Sequence, residues 1–433
     1  MTEAPTSPDA AAPVQEIRLR EHAPAASVPL DTATGKAIAA ARVLESAAPD
    51  PFRPGHWTLR AGSTVGTVRV PVPGRPGPGL TLRITPKTPV RRLFFLLGFS
   101  LSPERAWRDG GPPIDSGTHD DVVPALAHAV ERQIDLALRQ GVLQGYRSVE
   151  ESALVVRGRI REAEQIRRHF GRTPPVEIAY DDYSTDTAEN RILRGAVESL
   201  LRVPGIPSHV RRRLAHQRLR LADASPLVRG QALPRWTPSR LNARYQPALR
   251  LAEAVLRGTS PEHHPGDVPL TGFLLDMNVL FEDFVTCALL EAVRELGFTA
   301  RLQDPLHLDT AQLVRMRPDL TVRSADGTRP VAVVDAKYKT QKAQGGYPNA
   351  DLYQMLAYCT VLGLAKGHLV YAAGDTTRTA HEVATPAGLP GVQLYRHVLD
   401  LDREPAELLT TFRQLAATLT ASHGFPQHTT RPN

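Results

Sequence analysis

The sequence is poor in cysteine, in lysine and in long apolar runs, and each shortage removes a class of protein. Only Cys287 and Cys359 occur in 433 residues, too few for a disulfide framework or a cysteine-rich zinc site. Both lie in apolar helical patterns and are expected to be buried, inert thiols. No stretch approaches the roughly 18 consecutive apolar residues that span a bilayer, and the N-terminus lacks a charged-then-apolar signal pattern. A cytoplasmic protein without membrane contact is the expectation. Lysine is confined to Lys36, Lys87, Lys337, Lys339, Lys342 and Lys366, so arginine carries almost all the positive charge. The net charge of +7 and pI near 9.6 favour a polyanionic partner.

The length exceeds one ordinary core. Residues 1–24, rich in Ala, Pro, Ser and Thr without an apolar period, read as a disordered leader. In 25–176, short alternating runs (Thr64 to Val72, Leu80 to Ile84) around the cluster from Pro73 to Gly79 give strands and turns. A helix is predicted over Asp120 to Gln140, stopped by Gly141. In 177–265, a helical connector, Asp186 and Glu189 are spaced to cap a helix start reciprocally. From Arg211 to Arg250 ten arginines face a single acid, Asp223, with Trp236 and Tyr245 interleaved. That stretch reads either as a wetted helix face with a Pro-broken linker or as a surface that tracks phosphates.

Residues 266–433 carry the chemistry. An amphipathic helix of about six turns is predicted from Phe273 to Leu296, with Glu282 beside its apolar stripe. Two strand-like runs follow, Leu313 to Val322 and Pro330 to Tyr338, joined by a hairpin turn at Asp326-Gly327. Side chains alternate along a strand, so Asp335 and Lys337 face the same way. Fifteen residues separate Asp319 from Asp335; an odd-length loop without a bulge would bring both to one face of neighbouring strands. An Asp-x-Lys on a strand is often only a salt-bridged edge. The apolar run Val331 to Val334 instead predicts a buried strand, where an unpaired carboxylate is costly.

Two carboxylates and an ammonium suit phosphodiester hydrolysis. Hard oxygen ligands hold Mg²⁺, or Mn²⁺ in its place, to polarise the phosphate and activate a water. A lysine orients or deprotonates that water and offsets charge growing on the phosphate. Asp319, Asp335 and the Ala336 carbonyl are therefore candidate metal ligands, Glu282 an additional acid, and Lys337 the base or stabiliser. The next helix, opened by Asn349 as its cap, sets Gln354 and Tyr358 one turn apart, in reach of the carboxylates or the DNA backbone.

This order of Glu282, Pro318-Asp319, Asp335-x-Lys337 and Gln354-x-x-x-Tyr358 resembles the PD-(D/E)xK nuclease superfamily, in its branch with a Q-x-x-x-Y helix. The resemblance implies an α/β restriction-endonuclease-like domain, a mixed sheet flanked by helices, continued by a strand from His368 to Ala373 and a helix from Pro405 to Ala421. It would follow a β-rich and helical N-terminal region. Further upstream, Leu82 to Val90, Gly141 to Tyr146, Val156 to Ile160 and Tyr183 to Ile192, followed by Met277 to Glu282 and Asp351 to Tyr358, look like the successive motifs of the McrC family. That resemblance implies the nuclease subunit of a 5-methylcytosine-dependent restriction system, cutting double-stranded DNA and working with an McrB-like AAA+ GTPase hexamer. The N-terminal region would then bind that ring and stimulate its GTP hydrolysis, and 266–433 would cut. Gly35-Lys36, followed by Ala37 and without the upstream glycine of a phosphate-binding loop, encodes no nucleotide motor. Arg157, Arg159, Tyr183, Asp186 and Glu189 read equally as capping and packing residues. Two other functions fit the same pattern: a repair nuclease acting alone or with a helicase, and a non-catalytic DNA-binding adaptor of a ring NTPase.

Overall fold

The computed structural model describes residues 15–75, 79–101, 121–228, 230–259, 270–338, 349–372, 379–383 and 391–421. The leader expected over residues 1–24 is contradicted from Glu16 onward. Residues 1–14 lie outside the described residues, but Glu16–Arg20 forms strand β1, with Ile17 and Leu19 turned inward. A two-residue alternation inside Ala/Pro-rich sequence is too short to register as a period. β1 pairs in parallel with β6 (Leu80–Thr85); β6 is antiparallel to β5 (Thr64–Val70), and β5 to β10 (Thr271–Asp276).

Beside that sheet lies a smaller one of β2 (Ala26–Pro29), β4 (His56–Arg60) and β3 (Ser46–Pro49), with helix α1 (Thr32–Ala41) against it. A Cβ on Gly35 would fall inside the indole of Trp57. Gly35 thus serves close packing within α1, in keeping with its failure to match a phosphate loop.

Helices α2 (Val90–Leu101) and α3 (Val122–Leu138) precede an arm. Its strands β7 (Gly145–Ala153) and β9 (Val176–Ser184) pair antiparallel over their full length, accompanied by β8 (Arg159–Ile160) and the short α4 (Glu162–His169). Then come α5 (Ala188–Arg202), α6 (Ser208–Arg220) and α7 (Gln246–Thr259). The expected Asp186/Glu189 capping box does not form at α5. Thr187 caps it by accepting from Asn190 N, while Asp186 accepts from Arg147, Arg191 and Ser225. Asp186 is drawn away because arginines on two sides offer it charge-assisted bonds, which are stronger than a cap.

The arginine-rich stretch is largely occupied with the protein itself. Arg211 donates to the carbonyls of Leu201 and Val203, Arg220 to Leu138, Arg250 to Leu101 and Arg244 to Gly141. Guanidinium groups thereby satisfy orphan carbonyls where helices end. Arg212, Arg218, Arg235 and Arg240 are exposed.

The C-terminal part holds a six-stranded mixed sheet in the order β11 (Thr299–Leu302), β14 (Leu320–Arg323), β15 (Pro330–Lys337), β16 (Lys366–Tyr371), β18 (Gln393–Val398), β17 (Thr379–Glu382). β15, β16 and β18 run parallel, and the outer pairs are antiparallel. Helices α8 (Met277–Glu295) and α10 (Pro405–Thr420) join one face to the large core, whereas α9 (Asn349–Leu362) covers the other with Met355, Tyr358 and Cys359. Gly367 lets α9 approach: a Cβ there would lie 2.6 Å from Met355 Cγ. The strand expected from His368 begins at Lys366 and ends at Tyr371; Ala373 lies outside the described residues.

Two expected elements divide. The helix drawn from Phe273 starts only at Met277, capped by Asp276, because Phe273 to Leu275 belong to β10. The run from Leu313 to Val322 is interrupted by Pro318, which cannot donate to a ladder. Arg315–Met316 (β13) instead pairs with Leu306–His307 (β12) in a separate ribbon. Asn349, expected as a cap, is itself the first residue of α9. No helix among the described residues is long and apolar enough to cross a membrane.

Candidate metal centre

β14 and β15 form the expected hairpin. Asp326 holds its turn through Ser324 and Thr328, and Gly327 supplies the positive φ of 73°. The paired residues Leu320↔Val334 and Thr321↔Val333, extended one step, set Asp319 opposite Asp335. The parity arises differently from the expectation. The loop of 324–329 is even in length, and a bulge between Val322 and Arg323 restores the register.

Asp319 Oδ2 accepts from Ala336 N at 2.7 Å, and Gln303 N donates to the Asp319 carbonyl at 3.0 Å. Asp335 is 1% exposed. Burial, then the Asp319 charge, pushes its pKa up to about 7. Burial also raises Asp319, against the Ala336 N–H and the Lys337 charge. Lys337 Nζ lies 2.5 Å from Asp335 Oδ2. Burial pulls the lysine down, but Asp335, Asp319 and Glu282 together outweigh it and leave its pKa above the usual value.

Glu282 comes to the same place from α8. It is half-buried, its pKa raised first by burial, with Lys337 opposing and Asp335 reinforcing. The helix carrying it is fixed from behind by Phe284, which meets Phe95, Phe99 and Phe412 edge-on at 5.6, 5.3 and 5.4 Å, contacts worth about 0.5–1.5 kcal/mol each beyond their area.

Gln354 and Tyr358 adjoin the centre but hydrogen-bond neither carboxylate. Gln354 Nε2 donates to Tyr358 Oη at 2.7 Å, and Tyr358 Oη donates to the Arg317 carbonyl at 3.2 Å. They brace the backbone two residues before Asp319. Their spacing was legible in the sequence; the carbonyl they hold was not, because it lies on a different element.

A hard divalent cation suits this donor set. Asp335 Oδ2 is buried with the Lys337 ammonium beside it, and two facing carboxylates in an apolar setting favour a second positive charge there. Among the described residues no three His, Cys, Asp or Glu side chains form a ready cage.

Elsewhere, Ser152, His169 and Glu177 cluster on the arm. The same His169 Nε2 meets both Ser152 Oγ at 3.3 Å and Glu177 Oε1 at 3.0 Å. The carboxylate therefore cannot orient the ring toward the serine, as a nucleophilic triad requires; the group fastens α4 to β9. Cys359 is buried and Cys287 partly so, and burial pushes both thiols up to about 12, away from nucleophilic chemistry. Sequence reasoning also missed Glu21 and Lys87, which meet Tyr338 behind the centre.

Among curated proteins, none matches the chain. Among solved structures, a chain of the refined half-complex from a tetradecameric assembly of Thermococcus gammatolerans McrB AAA+ hexamers with bound McrC aligns with 94% of this chain and 100% of its own. It has 16% identity and a TM-score of 0.53, a likeness of fold. A chain of the Thermococcus gammatolerans McrBC complex aligns over 64% of this chain and 88% of its own, at 18% identity and a TM-score of 0.38. The family model of McrBC 5-methylcytosine restriction system components matches residues 59–372, the greater part of the sequence and all the residues of the acidic centre. The chain belongs to that family.

Proposed function

We propose that the chain is the nuclease subunit of a 5-methylcytosine-dependent restriction system, an endonuclease of the PD-(D/E)xK class that binds and stimulates an McrB-like AAA+ GTPase hexamer. The observation that carries the reading is the convergence of Asp319, Asp335 and Lys337 on one face of the β14–β15 hairpin. Asp319 and Asp335 would hold Mg²⁺, or Mn²⁺ in its place, with the Ala336 carbonyl and Glu282 as further oxygen donors. When bound, the ion supplies Lewis-acid polarisation of the phosphate and a more acidic water.

The surrounding carboxylates favour a protonated Lys337. That supports the role of charge stabiliser and donor, offsetting the negative charge of the phosphate, over the role of general base. Gln354 and Tyr358 act as positioning residues through the Arg317 carbonyl. The apolar body beneath excludes water and strengthens each charge contact.

The arm is the natural surface for the ring. Leu154, Val155, Ile166 and Phe170 on it are 79%, 76%, 65% and 87% exposed, an apolar display that a soluble monomer rarely keeps without a partner. In the Thermococcus gammatolerans assembly McrC is bound to McrB AAA+ hexamers.

Cleavage of cytosine-methylated and unmethylated plasmid with Mg²⁺, GTP and an McrB-like partner tests the reading. Cutting restricted to methylated DNA, dependent on GTP and partner and lost in Asp335→Ala and Lys337→Ala, is expected. Cutting that survives both substitutions would sink the site; cutting that needs no partner and is lost in both would favour the repair nuclease.

A further inference from the structure

Tyr338 directly follows Lys337, and alternation along β15 sends its ring to the face opposite the carboxylates. It is 1% exposed, and residues from two distant parts of the chain surround it. Lys87 Nζ stands 4.2 Å from its ring centroid, and the Phe281 ring 5.7 Å away. Its hydroxyl donates to Glu21 Oε2 at 3.3 Å.

Glu21 is 2% exposed and sits at the end of β1, where its N–H continues the ladder to the Thr85 carbonyl at 2.9 Å. The same Oε2 accepts from Lys87 N at 3.1 Å. The exits of β1 and β6 are thus tied to each other and to Tyr338. On the other side, Phe281 immediately precedes Glu282. Tyr338 consequently touches the strand that carries Lys337, the helix that carries Glu282 and the edge of the N-terminal sheet.

Packing alone does not call for this chemistry. A trio of apolar side chains would fill the same volume without burying a carboxylate and an ammonium. Glu21 Oε1 and Lys87 Nζ have no hydrogen-bond partner among the described protein groups. Buried polar groups without partners therefore call for an explanation other than stability.

We propose that Glu21, Lys87 and Tyr338 form a clamp through which the N-terminal sheet positions Lys337, setting the turnover of the centre rather than its affinity for DNA. The inference rests on the nuclease reading above. Lys337 is a long side chain with several free torsions, and holding its neighbour fixes the base from which the ammonium reaches the phosphate. Small displacements of such a group are costly in rate.

The test uses the full chain with its GTPase partner, comparing wild type, Tyr338→Phe, Glu21→Gln and the double variant. Tyr338→Phe removes a single oxygen and leaves the ring under Lys87, so it folds even if Glu21→Gln does not. The clamp predicts a kcat about tenfold lower with KM for DNA unchanged, and a double variant no slower than either single one. It also predicts amide exchange at Ala336, Lys337 and Tyr338 faster by about tenfold, with the centre of β16 unaltered. A lowered thermal midpoint with undiminished kcat per folded molecule, or unchanged exchange in Tyr338→Phe, overturns it. Wild-type protein that cuts nothing removes the proposed function, and the exchange measurement then decides the clamp by itself.

Discussion

Replacing Asp335 by asparagine should make the metal-free protein more stable while destroying its activity. The Asp335 carboxyl is raised from 3.8 to about 7 by burial and by Asp319, with the attraction of Lys337 already included. Ionisation in the folded state is therefore disfavoured by about 3 units, or about 4 kcal/mol at roughly 1.4 kcal/mol per unit. A raised folded pKa gives stability that is full below 3.8 and is lost as pH rises through 7. Asparagine mimics the protonated form at every pH and escapes that loss. Solvent reaching the partly exposed Asp319 reduces the gain to about 1–3 kcal/mol. Calorimetry without divalent ions should show equal midpoints for variant and wild type near pH 3, where the carboxyl is protonated in the folded and unfolded chain alike, and a lead for the variant that widens to about 1–3 °C near pH 8.5. Millimolar Mg²⁺ should return the wild type toward the variant, since an ion bound only by the folded state stabilises it. A variant no more stable than wild type at the alkaline end would refute the account of Asp319 and Asp335 as mutually repelling, buried carboxylates.

The remaining predictions concern the arm, the Asp186 hub, the α5 cap and the proton–metal competition. Leu154→Asp with Val155→Asp should leave folding intact and abolish stimulation of the partner's GTP hydrolysis, read by phosphate release; unchanged stimulation would remove the arm from the interface. Asp186, held well below the usual carboxylate range first by Arg191, contributes stability present above pH 3.8 that is lost as pH falls through its depressed value. Asp186→Asn should therefore cost roughly 2 kcal/mol in urea titration at neutral pH and less in strong acid. Thr187→Ala should cost about 1 kcal/mol by removing the bond from Asn190 N, measured the same way. Mg²⁺ affinity, followed by titration calorimetry, should strengthen from about pH 6 to 8 as Asp335 surrenders its proton; a flat profile would contradict Asp335 as a ligand.

The parts of the fold legible in the sequence were those written in local pattern. Val331 to Val334 followed by Asp335 announced a buried strand ending in chemistry, and Asp326-Gly327 announced the turn before it. The facing of Asp319 and Asp335 was anticipated, although the bulge after Val322 compensates for an even loop that no local rule foretells. No local pattern separates β10 from the helix after it, because Phe273 to Leu275 satisfy both periods. β1 escaped because its apolar content is two residues. Glu21 and Tyr338 lie 317 positions apart, and no spacing signals a contact made only by tertiary packing. The surplus of arginine was visible at once, but its use as a set of helix-end caps depends on carbonyls from α2, α3 and α5 that only the assembled fold presents.

The pairing of β10 with β5 has a consequence for how the chain comes to be. Thr271 meets Arg69 across about 200 residues of intervening sequence, and such distant partners make for slow closure. On the ribosome, β5 must wait with one edge open until β10 has emerged, long after the arm and its helices have been made. The strand that finishes the N-terminal sheet is also the one that leads into α8 and Glu282. Synthesis therefore completes the N-terminal sheet only as the helix bearing Glu282 begins to leave the ribosome, and a fragment cut between the two regions would strip one sheet of its border while leaving the other piece with an orphan strand.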